Sequence, residues 1–349
     1  MQIEEKIKAE AARLGFKLSG ICLPQNPPHY QVYLDWLESG RQAGMAYLAR
    51  KDAIAARKDP CQLLPGCQSI LCLGLPYPAP AKQTHRYGGH LQGQISAYAL
   101  GRDYHEVVLE KLQVLSAFIE ADVGHPVQTK ACVDTSAILE KDYAWLAGLG
   151  WIGRNSLLLT PGYGSYVFLA ELLLDLPLQP DQPLPGDPCE SCQRCIQACP
   201  TQAIQSDRSI DARRCLSYLT IEHRGPIPEE YRTTMGAKVF GCDICQTVCP
   251  FNQRQSKTDA ELALTGMVDP MPDLVAELRL STEEFKQKFL GTVVLRAKRQ
   301  GYLRNVAIAL GNLADPAALQ PLTDLLNIEA DPVIQGACRW ALEKINSMA

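Results

Sequence analysis

Apolar and polar positions alternate along the first half of the chain in a way that predicts helices and strands in turn. Residues 2–14 mix charged and apolar positions at a helical period and predict an amphipathic helix. Lys17–Leu23 predicts a short strand, and Tyr30–Ser39 a second helix. Ser69–Leu75 is continuously apolar or small between Pro65-Gly66 and Pro76, the pattern of a buried strand. Ile95–Ala121 sets Val107, Val108, Leu112 and Leu115 at helical spacing. Strands at Val127–Val133 and Tyr166–Leu174 flank a helix at Ala137–Leu146. This alternation predicts a central sheet covered by helices, an α/β sandwich-like domain over residues 1–176.

The pattern then changes. Leu176–Pro188 is proline-rich and reads as a linker into a second, cysteine-rich segment spanning 177–255. The remainder, 256–349, is helical and weakly repetitive. Leu303–Leu313 aligns with Gln335–Ile345 at a shift of 32 residues, and small residues inside both suit close packing of a HEAT-like hairpin. Asp315-Pro316 and Asp331-Pro332 open helices there, since proline is welcome in a first turn. So short an array must pack on the rest of the chain. The fold expected is α+β and multidomain.

Composition adds limits. The chain has 349 residues, 46% of them hydrophobic and 21% charged, values ordinary for a globular protein. No run approaches the roughly 18 apolar residues that span a bilayer, and the amphipathic start is not a signal peptide, so a cytoplasmic monomer without membrane contact is expected. The net charge of −4 excludes a globally basic nucleic-acid binder. Fourteen cysteines argue for metal rather than disulfides in a reducing compartment. Cys72 and Cys132 lie in apolar runs and read as inert core thiols.

The decisive pattern is Cys189-x2-Cys192-x2-Cys195-x3-Cys199-Pro200, echoed by Cys242-x2-Cys245-x3-Cys249-Pro250. This is the bacterial ferredoxin spacing, in which the fourth cysteine of each run reaches the other cluster. Cys189, Cys192, Cys195 and Cys249 are therefore assigned to one [4Fe-4S] cluster. The echo lacks its first cysteine, so Cys199, Cys215, Cys242 and Cys245 are assigned to the second. Four-thiolate zinc is the alternative that the crossed order and the two prolines disfavour.

Other positions carry weaker signals. Gly148-Leu-Gly150-Trp-Ile-Gly153 has dinucleotide-loop spacing but follows a helix, and its glycines are expected to let backbone approach a large flat cofactor. Asp134 stands at a strand end, either as a working side chain or as a helix cap near Ser136. Asp103 reads as a cap and His105 as a satisfied polar residue. Lys286, Lys288, Arg296, Lys298, Arg299 and Arg304 form a basic run without an acid, suited to phosphate backbones.

Together Tyr98–His105, Val133–Ser136, Gly148–Ser156, the eight cluster cysteines and Leu303–Asn312 resemble the epoxyqueuosine reductase family over nearly the whole chain. The resemblance implies base-off cobalamin in the N-terminal domain, reduced through the two clusters. The substrate is then epoxyqueuosine at the wobble position of a tRNA with a GUN-type anticodon, its epoxide being reduced to the alkene of queuosine. A reduced flavodoxin or ferredoxin-type protein is the implied electron donor. Asp134 would be the proton donor, needing a pKa raised by desolvation. Asp134, Arg57, Ala97, Asn155, Ser156, Leu158, Cys242 and Asp243 would line the corrin. His223, Arg224, Lys238, Lys298, Arg299 and Arg304 would contact RNA. The chain departs from the family at Arg154, where lysine is expected, and in its short helical tail. The rival readings are a dehalogenase-like cobalamin reductase of small molecules and a ferredoxin-like electron carrier.

Overall fold

A computed structural model of the chain describes residues 2–80, 91–253 and 264–348. α1 (Ile3–Arg13) buries Ile7 and Ala11, with Glu4 and Glu5 in its first turn, where carboxylates complement the helix dipole. β1 (Leu18–Cys22), α2 (Tyr30–Glu38) and α3 (Lys51–Lys58) lead to β2 (Ser69–Pro76), which is buried at every position. β3 (Gln94–Ile95), α4 (Tyr104–Val123), β4 (Thr129–Cys132), α5 (Glu140–Leu146), the pair β5 (Trp151–Ile152) and β6 (Leu158–Leu159), and β7 (Val167–Leu174) complete the N-terminal part.

The main sheet runs β1-β2-β7-β4 and every pairing in it is antiparallel. Side chains alternate across β7. Phe168, Ala170, Leu172 and Leu174 join α1 and α4 in the main core. Leu169 and Leu173 face a second, smaller core with Tyr143 and Ala144 of α5 and the thiols Cys22, Cys72 and Cys132. Cys72 and Cys132 are fully buried, and burial pushes the Cys132 thiol up to about 12, as inert core thiols should behave.

One helix begins later than its periodicity predicts. Asp103 caps α4 by accepting the His105 N–H at 3.0 Å, so the helix starts at Tyr104 rather than Ile95. The preceding residues instead form β3 and a 3-10 turn, Ala97–Ala99. The glycine run at 148–153 is also corrected: it enters the β5–β6 hairpin and admits the chain's own backbone. A Cβ on Gly150 would meet the Leu159 carbonyl oxygen at 2.2 Å.

The cysteine-rich part contains α6 (Arg194–Ala198), α7 (Leu216–Ile221), α8 (Glu229–Arg232), β8 (Lys238–Phe240) and α9 (Ile244–Thr247). β8 pairs in parallel with β3, tying this segment to the N-terminal part. The tail holds α10 (Leu274–Glu277), α11 (Thr282–Lys288), α12 (Lys298–Leu313), α13 (Leu319–Ile328) and α14 (Pro332–Met348). Asp315 and Asp331 accept backbone N–H groups at the helix starts their Asp-Pro pairs predict. The two aligned repeats are α12 and α14, packed so closely that a Cβ on Gly311 would lie 2.8 Å from the Ala341 Cα. One core runs from Ile7 through Phe240 to Ile345, so the three segments share it. The expected boundary at 255–256 lies outside the described residues.

Candidate active site and cluster ligands

Cys189, Cys192, Cys195 and Cys249 line a single cavity with Arg154, Asn155 and Arg194. Of the remaining four, Cys245 lies within electrostatic reach of Cys242, Cys215 and Cys199, and also of Cys195, and Cys215 lies within reach of Cys199. The first cavity also has orphaned donors. Trp151 Nε1, Arg154 Nε and Asn155 Nδ2 are buried without a hydrogen-bond partner among the described residues, and Trp151 packs against Cys189 and Cys249. Four thiolates with spare N–H donors suit an iron–sulfur cluster, whose sulfurs accept such bonds.

The second constellation centres on Asp134. Just beyond β4 its backbone turns left-handed, φ 44°, a conformation aspartate tolerates better than most residues. It does not cap α5, which starts later, at Glu140. Its carboxylate meets His105 Nε2 at 3.2 Å, and His105 Nδ1 meets Asp103 Oδ1 at 2.7 Å. The imidazole also stacks on Tyr104, whose ring lies flat on Phe168 of β7. His105 is therefore bridged between two carboxylates, more than the satisfied polar residue expected.

Electrostatics overturns one expectation here. Burial works to lower His105 and to raise Asp134. The hydrogen bonds win: Asp103 and then Asp134 hold His105 protonated up to about 9, and His105 holds the Asp134 carboxyl below its ordinary range. Asp134 is an ionised partner of an imidazolium rather than a desolvated neutral acid. Glu140, at the start of α5, accepts the Asp134 backbone N–H. It is pushed up to about 8 by burial and by the Asp134 charge.

Half of the Asp134 side chain faces open space. The Ala97 N–H donates to Asp243 Oδ2 at 2.9 Å, and Asp243 is raised by burial. Lys141 Nζ donates to the Ser156 carbonyl at 2.6 Å. The Asp134 charge reaches both Tyr98, beside Ala97, and Lys141. Leu158 is buried in β6, and Asn155 turns to the cysteine cavity. Arg57 is buried, with its guanidinium over the Tyr33 ring.

The cations expected at RNA divide. Lys298 is exposed at the start of α12, and Lys238 is half-buried, reaching Met235. Arg224 donates to the Ile221, Ala297 and Arg296 carbonyls, Arg299 pairs with Glu329, and His223 Nε2 meets the Pro226 carbonyl. Arg304 is a correction. It is 1% exposed and spends its donors on the Leu219, His223 and Gly225 carbonyls, so it holds α12 to α7 and offers nothing to RNA. Arg296, part of the basic run but not chosen as a site residue, pairs with Glu222, reaches Tyr47 and helps hold Asp134 down. The tail thereby reaches the mouth of the site. His105, Glu140 and Arg296 come together only through packing of distant segments, so no local spacing announces them.

Comparison with known proteins gives the family. Residues 57–135 match the family model described as epoxyqueuosine reductase QueG, DUF1730, and residues 188–252 match a 4Fe-4S double cluster binding domain. Epoxyqueuosine reductase of Pseudomonas aeruginosa is 38% identical over 98% of this chain and 94% of its own length. The Escherichia coli enzyme is 39% identical over 89% of this chain and 81% of its own. A crystal structure of epoxyqueuosine reductase with an epoxyqueuosine-modified tRNA-Tyr stem loop superposes with a TM-score of 0.91, at 34% identity, covering 99% of this chain and 90% of that one. The Streptococcus thermophilus enzyme superposes at 0.90, with 31% identity, over 99% and 91% of the two chains. The chain belongs to the epoxyqueuosine reductase family.

Proposed function

We propose that this chain reduces the epoxide of epoxyqueuosine in a tRNA anticodon loop to the alkene of queuosine. One observation carries the reading: a half-exposed carboxylate is paired with an imidazolium, in a chain whose relatives are epoxyqueuosine reductases. A relative of nearly the same fold holds a tRNA stem loop bearing this nucleoside.

In this reading residues 1–176 hold cobalamin, 177–255 hold two [4Fe-4S] clusters, and the HEAT-like helices of 256–349 present the RNA side. Ala97, Ser156, Leu158 and Asp243 line the corrin, with Arg57 and Asn155 behind them. When bound, cobalamin supplies the low-potential reduction that opens the C–O bonds. The chain's own residues deliver protons and hold the nucleotide. His105 keeps a proton within 3.2 Å of Asp134, so Asp134 can pass it to the departing oxygen and regain charge. Asp103 fixes the imidazole from behind. Arg296 and Lys298 stand at the mouth for a splayed nucleotide and its phosphates. Electrons enter from a flavodoxin or ferredoxin-type protein in the cytoplasm.

The test is reconstitution with iron, sulfide and cobalamin, then reduction with tRNA carrying epoxyqueuosine. Nucleoside mass spectrometry is expected to find loss of one oxygen, dependent on cobalamin. Bound corrin and clusters without conversion would point to a small-molecule reductase instead, and no bound corrin to an electron carrier.

A further inference from the structure

Among the described residues, each buried side-chain N–H left without a hydrogen-bond partner lies on one hairpin. They are Trp151 Nε1 in β5, and Arg154 Nε and Asn155 Nδ2 in the turn that leads to β6. The other orphaned buried side-chain atoms are oxygens, on Gln42 and Glu171. A buried donor without an acceptor is costly, so three on one hairpin call for an acceptor beside them.

The turn is built to hold these donors at the cysteines. Its ends close where the Gly153 N–H meets the Leu157 carbonyl at 2.8 Å. A Cβ on residue 153 would lie 2.8 Å from Asn155 Oδ1, so glycine there leaves room for the Asn155 side chain. Asn155 is 1% exposed and lines the cavity of Cys189, Cys192, Cys195 and Cys249. Its Oδ1 accepts the Leu157 N–H at 3.4 Å, which leaves the NH2 group as its free end. Arg154 lines the same cavity. Its Nη2 donates at 2.6 Å to the carbonyl of Glu190, between two of the cysteines, and its Nε is still unsatisfied. Arg208 fastens the hairpin a second time. It donates to the Ile152 carbonyl at 2.7 Å and pairs with Asp187, whose Oδ1 accepts the Cys189 N–H at 3.1 Å. The donors are thus fixed relative to the thiols. In a cavity lined by four cysteines the acceptor that matches them is sulfur, since thiolate and sulfide accept N–H groups and donate nothing.

We propose that Arg154 Nε and Asn155 Nδ2, with Trp151 as a third donor packed on Cys189 and Cys249, hydrogen-bond the sulfurs of the cluster held by Cys189, Cys192, Cys195 and Cys249 and raise its reduction potential. The proposal rests on the double-cluster reading of residues 188–252 and is independent of the substrate. Reduction adds negative charge to the cluster, so donors fixed on its sulfurs stabilise the reduced form more than the oxidised one. Of the cysteines assigned to the second cluster, Cys199 has a backbone donor, the Ala203 N–H at 3.3 Å from its sulfur. The orphaned side-chain donors fall beside the first cluster alone. Arginine suits position 154 because one planar fork serves the Glu190 carbonyl and a sulfur together. A lysine keeps the charge but has a single nitrogen for both tasks.

Two measurements on the full chain, reconstituted with iron and sulfide, test this without turnover. In the first, wild type is labelled with nitrogen-15 arginine and its reduced clusters are studied by pulsed electron paramagnetic resonance. A nitrogen-15 coupling to the first cluster is expected, and it should be lost in Arg154→Lys. In the second, a redox titration followed by the same resonance resolves the two cluster midpoints. Asn155→Leu and Arg154→Lys should each move the first midpoint to a more negative potential, and the double variant further, with the second midpoint unmoved and iron content full. Because Arg154→Lys keeps the cation, its shift reports the hydrogen bond rather than the charge. Unchanged midpoints in both variants, or an equal fall of both midpoints, overturns the proposal. So does a wild type without the coupling, a result that stands even if a variant fails to hold its cluster. A wild type that shows no reduced [4Fe-4S] signal overturns the cluster reading itself and the proposal with it.

Discussion

Two acidic regions lie back to back around the end of β4, one ionised and one neutral. On the open side, Asp103 and Asp134 flank His105 and both are ionised, because an imidazolium repays their desolvation. On the closed side, Glu171 sits among leucines and thiols with nothing to pair with, and burial drives it far above the usual carboxylate range. Glu140 lies between the two. The same carboxyl chemistry is a charge on one side of the turn and a neutral acid on the other, decided by whether a cation is within reach.

The strongest way to break the comparison is to remove the open-side carboxylate. Asp134→Ala should cut turnover by ~10²–10⁴-fold, while iron content and stem-loop binding stay as in wild type. Full activity in that variant would take Asp134 out of the reaction. Next comes Arg304, a buried cation whose role is cohesion. Arg304→Ala should cost roughly 3 kcal/mol or more by urea unfolding, since it strands the buried Leu219 carbonyl and the partly buried His223 and Gly225 carbonyls.

Glu171→Leu sharpens the contrast from the closed side. It removes an unpartnered polar group, so it should stabilise the fold by ~1–3 kcal/mol near neutral pH. Its folded pKa is raised, so wild-type stability is fully present below the unfolded carboxyl value and is lost as pH rises above it. The gain from Glu171→Leu should therefore grow with pH, which thermal unfolding across pH would record. The smallest effect is expected at Lys298. Lys298→Ala should leave stability within ~0.5 kcal/mol and lower the salt dependence of RNA binding by about one counterion.

The eight cysteines stood out in the sequence because cluster ligation needs fixed local spacings, and residues 188–252 match a double-cluster domain, with Cys189, Cys192, Cys195 and Cys249 lining one cavity. Asp134 was legible as a strand-end residue. Its charge was not, since that is set by His105, which the chain delivers from α4. The β/α alternation foretold a central sheet but not its antiparallel pairing, because strand direction depends on connections that periodicity does not encode. The basic run placed Arg304 and Lys298 on equal terms. Burial separates them, and the all-round packing of α12 that buries Arg304 appears only when the tail docks on α7 and β8. Glu171 was in plain sight as a lone acid in the apolar strand Val167–Leu174, a signal the strand assignment absorbed.

The most direct test of the charge arrangement is a nitrogen-15 NMR titration of His105 in the oxidised holoenzyme, in wild type and in Asp134→Asn. In wild type the imidazolium should persist to about 9. In Asp134→Asn its titration should fall below the wild-type value, with Asp103 alone left to hold the proton. A wild-type His105 already neutral at pH 7 would mean that Asp134 is not held as its ionised partner, and the proton delivery described for this site would be wrong.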